Sequence, residues 1–155
     1  MRLWRLVLVM ALLLGVWQWS PIKAGVVLGG SMEPTLRSGQ VILVDRRHYR
    51  AQPVRRGDVV TISYGGEVYV KRVHAVAGDT VWELRAPGTQ NTIVRPDLRE
   101  RVARVTQRLP GFGRLVPLQI PEGMVYVLGD AGNNSYDSRD FGPVFVSDIL
   151  GLVRL

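Results

Sequence analysis

Cysteine is absent from the 155 residues, which excludes disulfides, a thiol nucleophile and cysteine-rich zinc sites. Cysteine usage therefore says nothing about the compartment. Lysine is nearly absent too: of 20 basic residues only Lys23 and Lys71 are lysine, the rest arginine. That makes each lysine worth questioning, because a lysine can lose its proton when desolvated and an arginine cannot. No run of five basic residues occurs, so the net charge of +7 reads as a solvated or lipid-facing surface and not as a nucleic-acid footprint. The two histidines show no metal-ligand spacing, and neither a metal nor a cofactor is expected. There is no heptad, internal repeat or low-complexity tract.

What is present begins with an apolar run, "LVLVMALLLGV", from Leu6 to Val16, preceded by Arg2 and Arg5 and followed by Trp17 and Trp19. Eleven residues suit the apolar region of a secretory signal peptide, but moderately apolar flanks extend the stretch to about 20 residues, enough for a span. Cleavage fits poorly. A cut after Ala24 would put Ile22 three places before it, a cut after Ser20 would put Gln18 there, and Pro21 would then follow the cut. The expectation is an uncleaved anchor over 1–24, with interfacial tryptophans and a cytoplasmic N-terminus. Ser31 then lies at most about 30 Å of extended chain from Ile22, close to the membrane.

The remainder, 25–155, reads as β. Short apolar strands appear at Val41–Asp45, Gly57–Ser63, Glu67–Asp79, Thr80–Leu84 and Gly123–Asp130, with two more in "GPVFV" and "ILGLVRL". Gly65 and Gly66 mark a hairpin. With 17 glycines and 9 prolines, the pattern indicates a mostly β antiparallel barrel or sandwich. The polar, proline-bearing stretch at about 85–122 is expected to be a small hairpin-like insertion beside the core.

Two residues stand out. Ser31, in "GVVLGGSMEPTL", reads either as a loop hydroxyl or as a nucleophile that substrate backbone approaches past Gly29 and Gly30. Lys71, in "EVYVKRVHA", shares a strand face with Tyr69, Val73 and Ala75, while Arg72 shares the other with Val70 and His74. If the Tyr69 face is inward, burial lowers the amine's pKa and makes it a usable base. The plainer reading is a lysine snorkelling at a strand edge. A serine–histidine–aspartate triad also stays open, although His74 would then face away and His48 sits in the charged stretch "RRHYR".

Four motifs carry a resemblance. "GGSMEPTL", "RRGDVV", "YVKRVHAVAGDTV" and "LGDAGNNSYDSRDFGPV" resemble, in order, the serine box, the arginine–glycine–aspartate strand, the lysine box and the last box of bacterial type I signal peptidases. They extend from about Gly29 to Val144, downstream of the anchor. The resemblance implies a signal-peptidase-like β fold with an N-terminal transmembrane helix and a small accessory β region. It implies a membrane-bound serine endopeptidase in which Ser31 is the nucleophile, Lys71 the general base and Ser135 the hydroxyl that holds the lysine amine. Asp137 and Arg139 match a supporting ion pair, and Asp130 is assigned to the same network. Backbone amides of Ser31 and Gly29 are the implied oxyanion donors. Ala131 and Gly132 depart from the usual last box, which puts side-chain contacts in that loop in question.

The implied substrates are signal-peptide-bearing preproteins cut after Ala-x-Ala-type sites. The expected setting is a bacterial plasma membrane with the catalytic domain outside, the chain acting as a monomer beside lipid and without nucleic acid. Three alternatives remain: a dedicated maturation protease of the same fold, such as one for a conjugation pilin; a self-cleaving repressor, disfavoured by the apolar N-terminus; and a tethered, non-catalytic peptide-binding β module.

Overall fold

The computed structural model describes Trp4, residues 7–11, Gly15 and residues 20–155. Half of the expected anchor, 12 of residues 1–24, falls outside these residues. Among the described residues no helix is long and apolar enough to cross a membrane. The final residues assigned to the anchor, Ile22 to Ala24, lie in the first strand, β1 (Ile22–Val26).

All strand pairings are antiparallel. The larger sheet has seven strands: β1, β2 (Val41–Asp45), β3 (Val59–Tyr64), β4 (Glu67–Val76), β8 (Met124–Leu128), β9 (Val144–Phe145) and β10 (Ile149–Arg154), ordered β1-β2-β10-β3-β4-β8-β9. The smaller sheet is ordered β6-β5-β7, from β6 (Thr92–Ile93), β5 (Thr80–Arg85) and β7 (Arg114–Gln119). The β3–β4 hairpin turns at Gly65 and Gly66, with φ of 60° and 87°, the left-handed values that a tight hairpin turn demands.

Burial explains the order. Val59 to Ile62 of β3 are buried on both faces, which places β3 mid-sheet. Two apolar clusters flank it. Met32, Leu36, Ile42, Val44 and Val153 fill one side, and Val60, Ile62, Val73, Val125 and Val127 the other. Ala75, Val81, Ile120 and Tyr126 join the two sheets. Although β2, β10 and β3 separate β1 from β4 in the sheet, Lys23, Gly25 and Val26 of one and Glu67 to Val70 of the other line one cavity of about 550 Å³. The sheet therefore curls into a half-barrel whose open seam lies between these two edges.

The 85–122 segment is more than a hairpin. It holds the helix α2 (Arg99–Arg108), the second after the short α1 (His48–Ala51). Arg99, Val102, Ala103, Val105 and Thr106 are its half-buried positions, a helical spacing, and Glu100 meets Arg104 one turn on at 3.9 Å.

Candidate functional site

The side chain of Lys71 sits in the middle of β4, opposite Val60 of β3. It shares its face with Val73 and Ala75, as the alternation predicts, and that face is the inward one. Lys71 is 1% exposed, and its Nζ donates to Ser31 Oγ at 2.8 Å. Burial pushes the amine below the usual lysine range; the nearby Asp137 carboxylate opposes this and the Arg139 guanidinium adds to it. Part of the cover is aromatic. The Tyr69 ring lies 5.6 Å from Nζ. Tyr136 packs against Tyr69 and Phe141, and Phe141 stacks on Tyr64 at 4.2 Å. Tyr136 and Phe141 come from the short segment around α3 (Ser138–Phe141), too far along the chain to be foreseen from the lysine strand.

Ser31 is held by its neighbours. Met32 and Leu36 are buried in the core and close a turn through the Leu36 amide to the Met32 carbonyl at 2.9 Å. The Ser31 carbonyl accepts from the Ala131 amide at 3.1 Å. Arg139 donates to the Gly132 carbonyl. The loop at Ala131 and Gly132 therefore works through its backbone, and their departure from the usual box leaves these two contacts intact. Gly129 packs just as closely: a Cβ there would stand 2.2 Å from Ser135 Oγ and 2.5 Å from the Ser31 carbonyl oxygen.

The other expected site residues divide. Asp137, 0% exposed, accepts from the Gly129 amide at 2.9 Å and from Arg139 Nε and Nη2 at 2.9 and 2.8 Å. Burial alone would raise its pKa; the Arg139 bonds, the Gly129 amide and the Ser135 hydroxyl outweigh that and hold it below the usual carboxylate range. Ser135 Oγ is buried beside Gly129 and Ser31, but makes no hydrogen bond of full geometry among the described residues, to Lys71 or otherwise. Asp130 is not part of the Asp137–Arg139 pair. It takes Arg72 Nε and Nη2 at 2.9 and 2.7 Å, and the same guanidinium reaches Thr35 at 3.3 Å and the Gly57 carbonyl at 2.9 Å. Arg72 follows Lys71 in the strand and faces the other way, so this clamp fixes the serine loop from behind.

Of the two amides expected to face an oxyanion, Ser31's makes no hydrogen bond within the described protein. Gly29's donates to Ser38 Oγ at 3.2 Å. The expectation for Gly29 is corrected accordingly: a hydroxyl seven residues after the serine already occupies that donor. A serine ending the turn in "SMEPTLRS" was the available signal. His74 lies on the Arg72 side of β4, lining a cavity with Arg72 and Asp130, and burial lowers its pKa. No hydrogen bond joins either histidine to Ser31, so a histidine triad is not assembled here.

A hydroxyl hydrogen-bonded to a desolvated amine, at the wall of a groove between two strand edges, is the arrangement that a serine nucleophile with a lysine base requires. The sequence model described as signal peptidase, peptidase S26, matches residues 1–155, and the chain belongs to that family, the type I signal peptidases. It is 36% identical over 138 residues to a signal peptidase I of Bacillus caldolyticus, covering 83% of this chain and 75% of that protein. It is 30% identical over 140 residues to an inactive signal peptidase IA of Staphylococcus aureus (strain COL), covering 86% of this chain and 78% of that one. Among solved structures, a signal peptidase I of Enterococcus faecalis V583 aligns with a TM-score of 0.43 at 24% identity, over 66% of this chain and 98% of that chain. The family resemblance of the four motifs is thus borne out. Since one relative is named inactive, membership alone does not establish catalysis.

Proposed function

We propose that this chain is a membrane-bound serine endopeptidase that removes signal peptides from exported preproteins, using Ser31 as nucleophile and Lys71 as general base. The observation that carries the reading is the 2.8 Å hydrogen bond between Ser31 Oγ and an amine that is 1% exposed. The residues before Ile22 supply the anchor, and the chain from β1 onward the catalytic domain on the extracytoplasmic face. In this topology β1 follows the anchor directly, which keeps the groove beside membrane-held substrates.

The substrate enters as an extended strand between β1 and the free edge of β4, where β8 pairs only from Arg72 onward. Its carbonyl and amide groups meet unpaired backbone on both sides, and its short side chains settle among Val27, Ile42, Val44 and Val70, which line the groove. Branched walls of this kind favour small residues flanking the cut. Neutral Lys71 takes the Ser31 proton as Oγ attacks the scissile carbonyl. The Ser31 amide receives the developing oxyanion, a contact of about 2.7–4 kcal/mol for one such donor. Lys71 then protonates the leaving amine. A water that gives its proton to the same amine hydrolyses the acyl-enzyme and restores the hydroxyl.

A second reading, a groove that binds peptides without cutting them, is favoured by the name of the inactive relative alone. One experiment separates the two. The detergent-solubilised full chain is incubated with a preprotein bearing an Ala-x-Ala site, and the products are read by mass spectrometry. The expected result is a single cut after the second alanine, absent in Ser31→Ala. Equal cleavage by Ser31→Ala, or none by the wild type, rejects the proposal.

A further inference from the structure

The stretch "RRHYR" takes no part in the site above. Its arginines Arg46, Arg47 and Arg50 line a cavity of about 360 Å³ together with Lys23, Ser20 and Pro21. No acidic residue lines it. The nearest carboxylate in sequence, Asp45, is already engaged by Arg154 at 2.7 Å and by the Arg47 backbone amide at 3.1 Å. The guanidinium groups of Arg46, Arg47 and Arg50 have no carboxylate partner among the described residues. These three guanidinium groups repel one another, so they gain most from an anion placed among them.

Location narrows the anion. Pro21 stands five residues after Val16, the end of the apolar run, and five residues of chain reach about 18 Å at most. Ser20 and Pro21 lie at the end of the moderately apolar stretch of about 20 residues, so a cavity that they wall sits where the chain leaves the hydrocarbon for the headgroup layer, if that stretch spans the bilayer as proposed above. Guanidinium groups suit phosphate oxygens, which they meet with paired donors. We propose that this cavity binds the phosphate of an anionic phospholipid headgroup and so fixes the β domain against the membrane. The inference rests on the membrane placement in the preceding reading, but not on the Ser31–Lys71 chemistry.

The test uses the detergent-solubilised full chain and follows thermal unfolding as ligand is titrated, since a ligand bound by the folded state raises the midpoint. Three probes are compared: dihexanoyl phosphatidylglycerol, dihexanoyl phosphatidylcholine and inorganic phosphate. Arg46 and Lys23 also line the peptide groove, so the variant is Arg47→Gln with Arg50→Gln. The expected result is stabilisation by phosphatidylglycerol, much less by the other two, and an affinity roughly thirtyfold weaker in the double variant, the product of two arginine contributions at an anionic lipid surface. Arg47→Lys with Arg50→Lys keeps the charge but not the paired donors; it controls for folding and should bind more tightly than the glutamine variant and more weakly than the wild type. Unchanged phosphatidylglycerol affinity in the glutamine variant overturns the proposal. Equal binding of phosphatidylcholine or of inorganic phosphate overturns it too, the first by removing charge selection and the second by making the cavity a general anion site. Ser31→Ala is expected to bind phosphatidylglycerol like the wild type, and preprotein cleavage is scored in a separate reaction. Failure of the protease reading would therefore leave this result standing, and the reverse holds as well.

Discussion

Replacing Lys71 with methionine should abolish cleavage and make the protein more stable at neutral pH. The two side chains are similar in length, and the site is closed by Val60, Val73 and Tyr69, so methionine fills it without a charge to desolvate. The wild type holds an amine there that is 1% exposed and whose pKa burial has lowered. The free value is about 10.4. Between the lowered folded value and 10.4 the unfolded chain binds one more proton than the folded one. Stability in that window therefore rises with pH, by about 1.4 kcal/mol per pH unit for one group. Below the folded value both states carry the proton and the slope from this group vanishes. Lys71→Met removes the group, and with it both the slope and the accumulated cost. Unfolding free energies of the two proteins, measured from pH 6 to pH 10 in the same detergent, should converge as pH rises through 10. Cleavage should fall by about 10²–10⁴-fold through loss of the base alone, and Lys71→Arg should be equally inactive because guanidinium keeps its proton. An unchanged pH slope in Lys71→Met would mean that the amine is charged in the folded protein, and the lysine-base reasoning would fail.

Three further predictions test the support. Gly129→Ala places a methyl group 2.2 Å from Ser135 Oγ and 2.5 Å from the Ser31 carbonyl oxygen. It should cost about 1–3 kcal/mol by overpacking, and by moving Ser31 about 1 Å it should lower kcat on the order of 100-fold; wild-type turnover would refute the close packing. Arg139→Ala strands the fully buried Asp137 carboxylate and should cost about 3–5 kcal/mol in a denaturation experiment. Asp137's folded pKa is depressed, so its contribution is present above about pH 4 and is lost as pH falls through the folded value; Asp137→Asn should flatten that acid limb, and an unaltered limb would contradict the pairing.

Much of the strand layout could be read locally, because alternation and turn glycines act over a few residues. Alternation alone puts Tyr69, Lys71, Val73 and Ala75 on one face of β4, and Gly65 and Gly66 mark the hairpin, but that this face is the inward one was decided by the packed sheet. Motif order placed Ser31 and Lys71 in one site before any coordinate did. The helix Arg99–Arg108 was hidden by prolines on either side and by a stripe of only five half-buried residues, one of them an arginine. How deeply Lys71 is stripped of water was not legible, since the Tyr69 ring beside its amine packs against Tyr136, which arrives 65 residues after the lysine in the chain. Nor were the partners of Asp130 and of the Gly29 amide, which Arg72 and Ser38 take up across folded loops. Side-chain type and period are properties of the chain, so they survive in its text; desolvation, hydrogen-bond partner and distance belong to groups that only the closed sheet brings together.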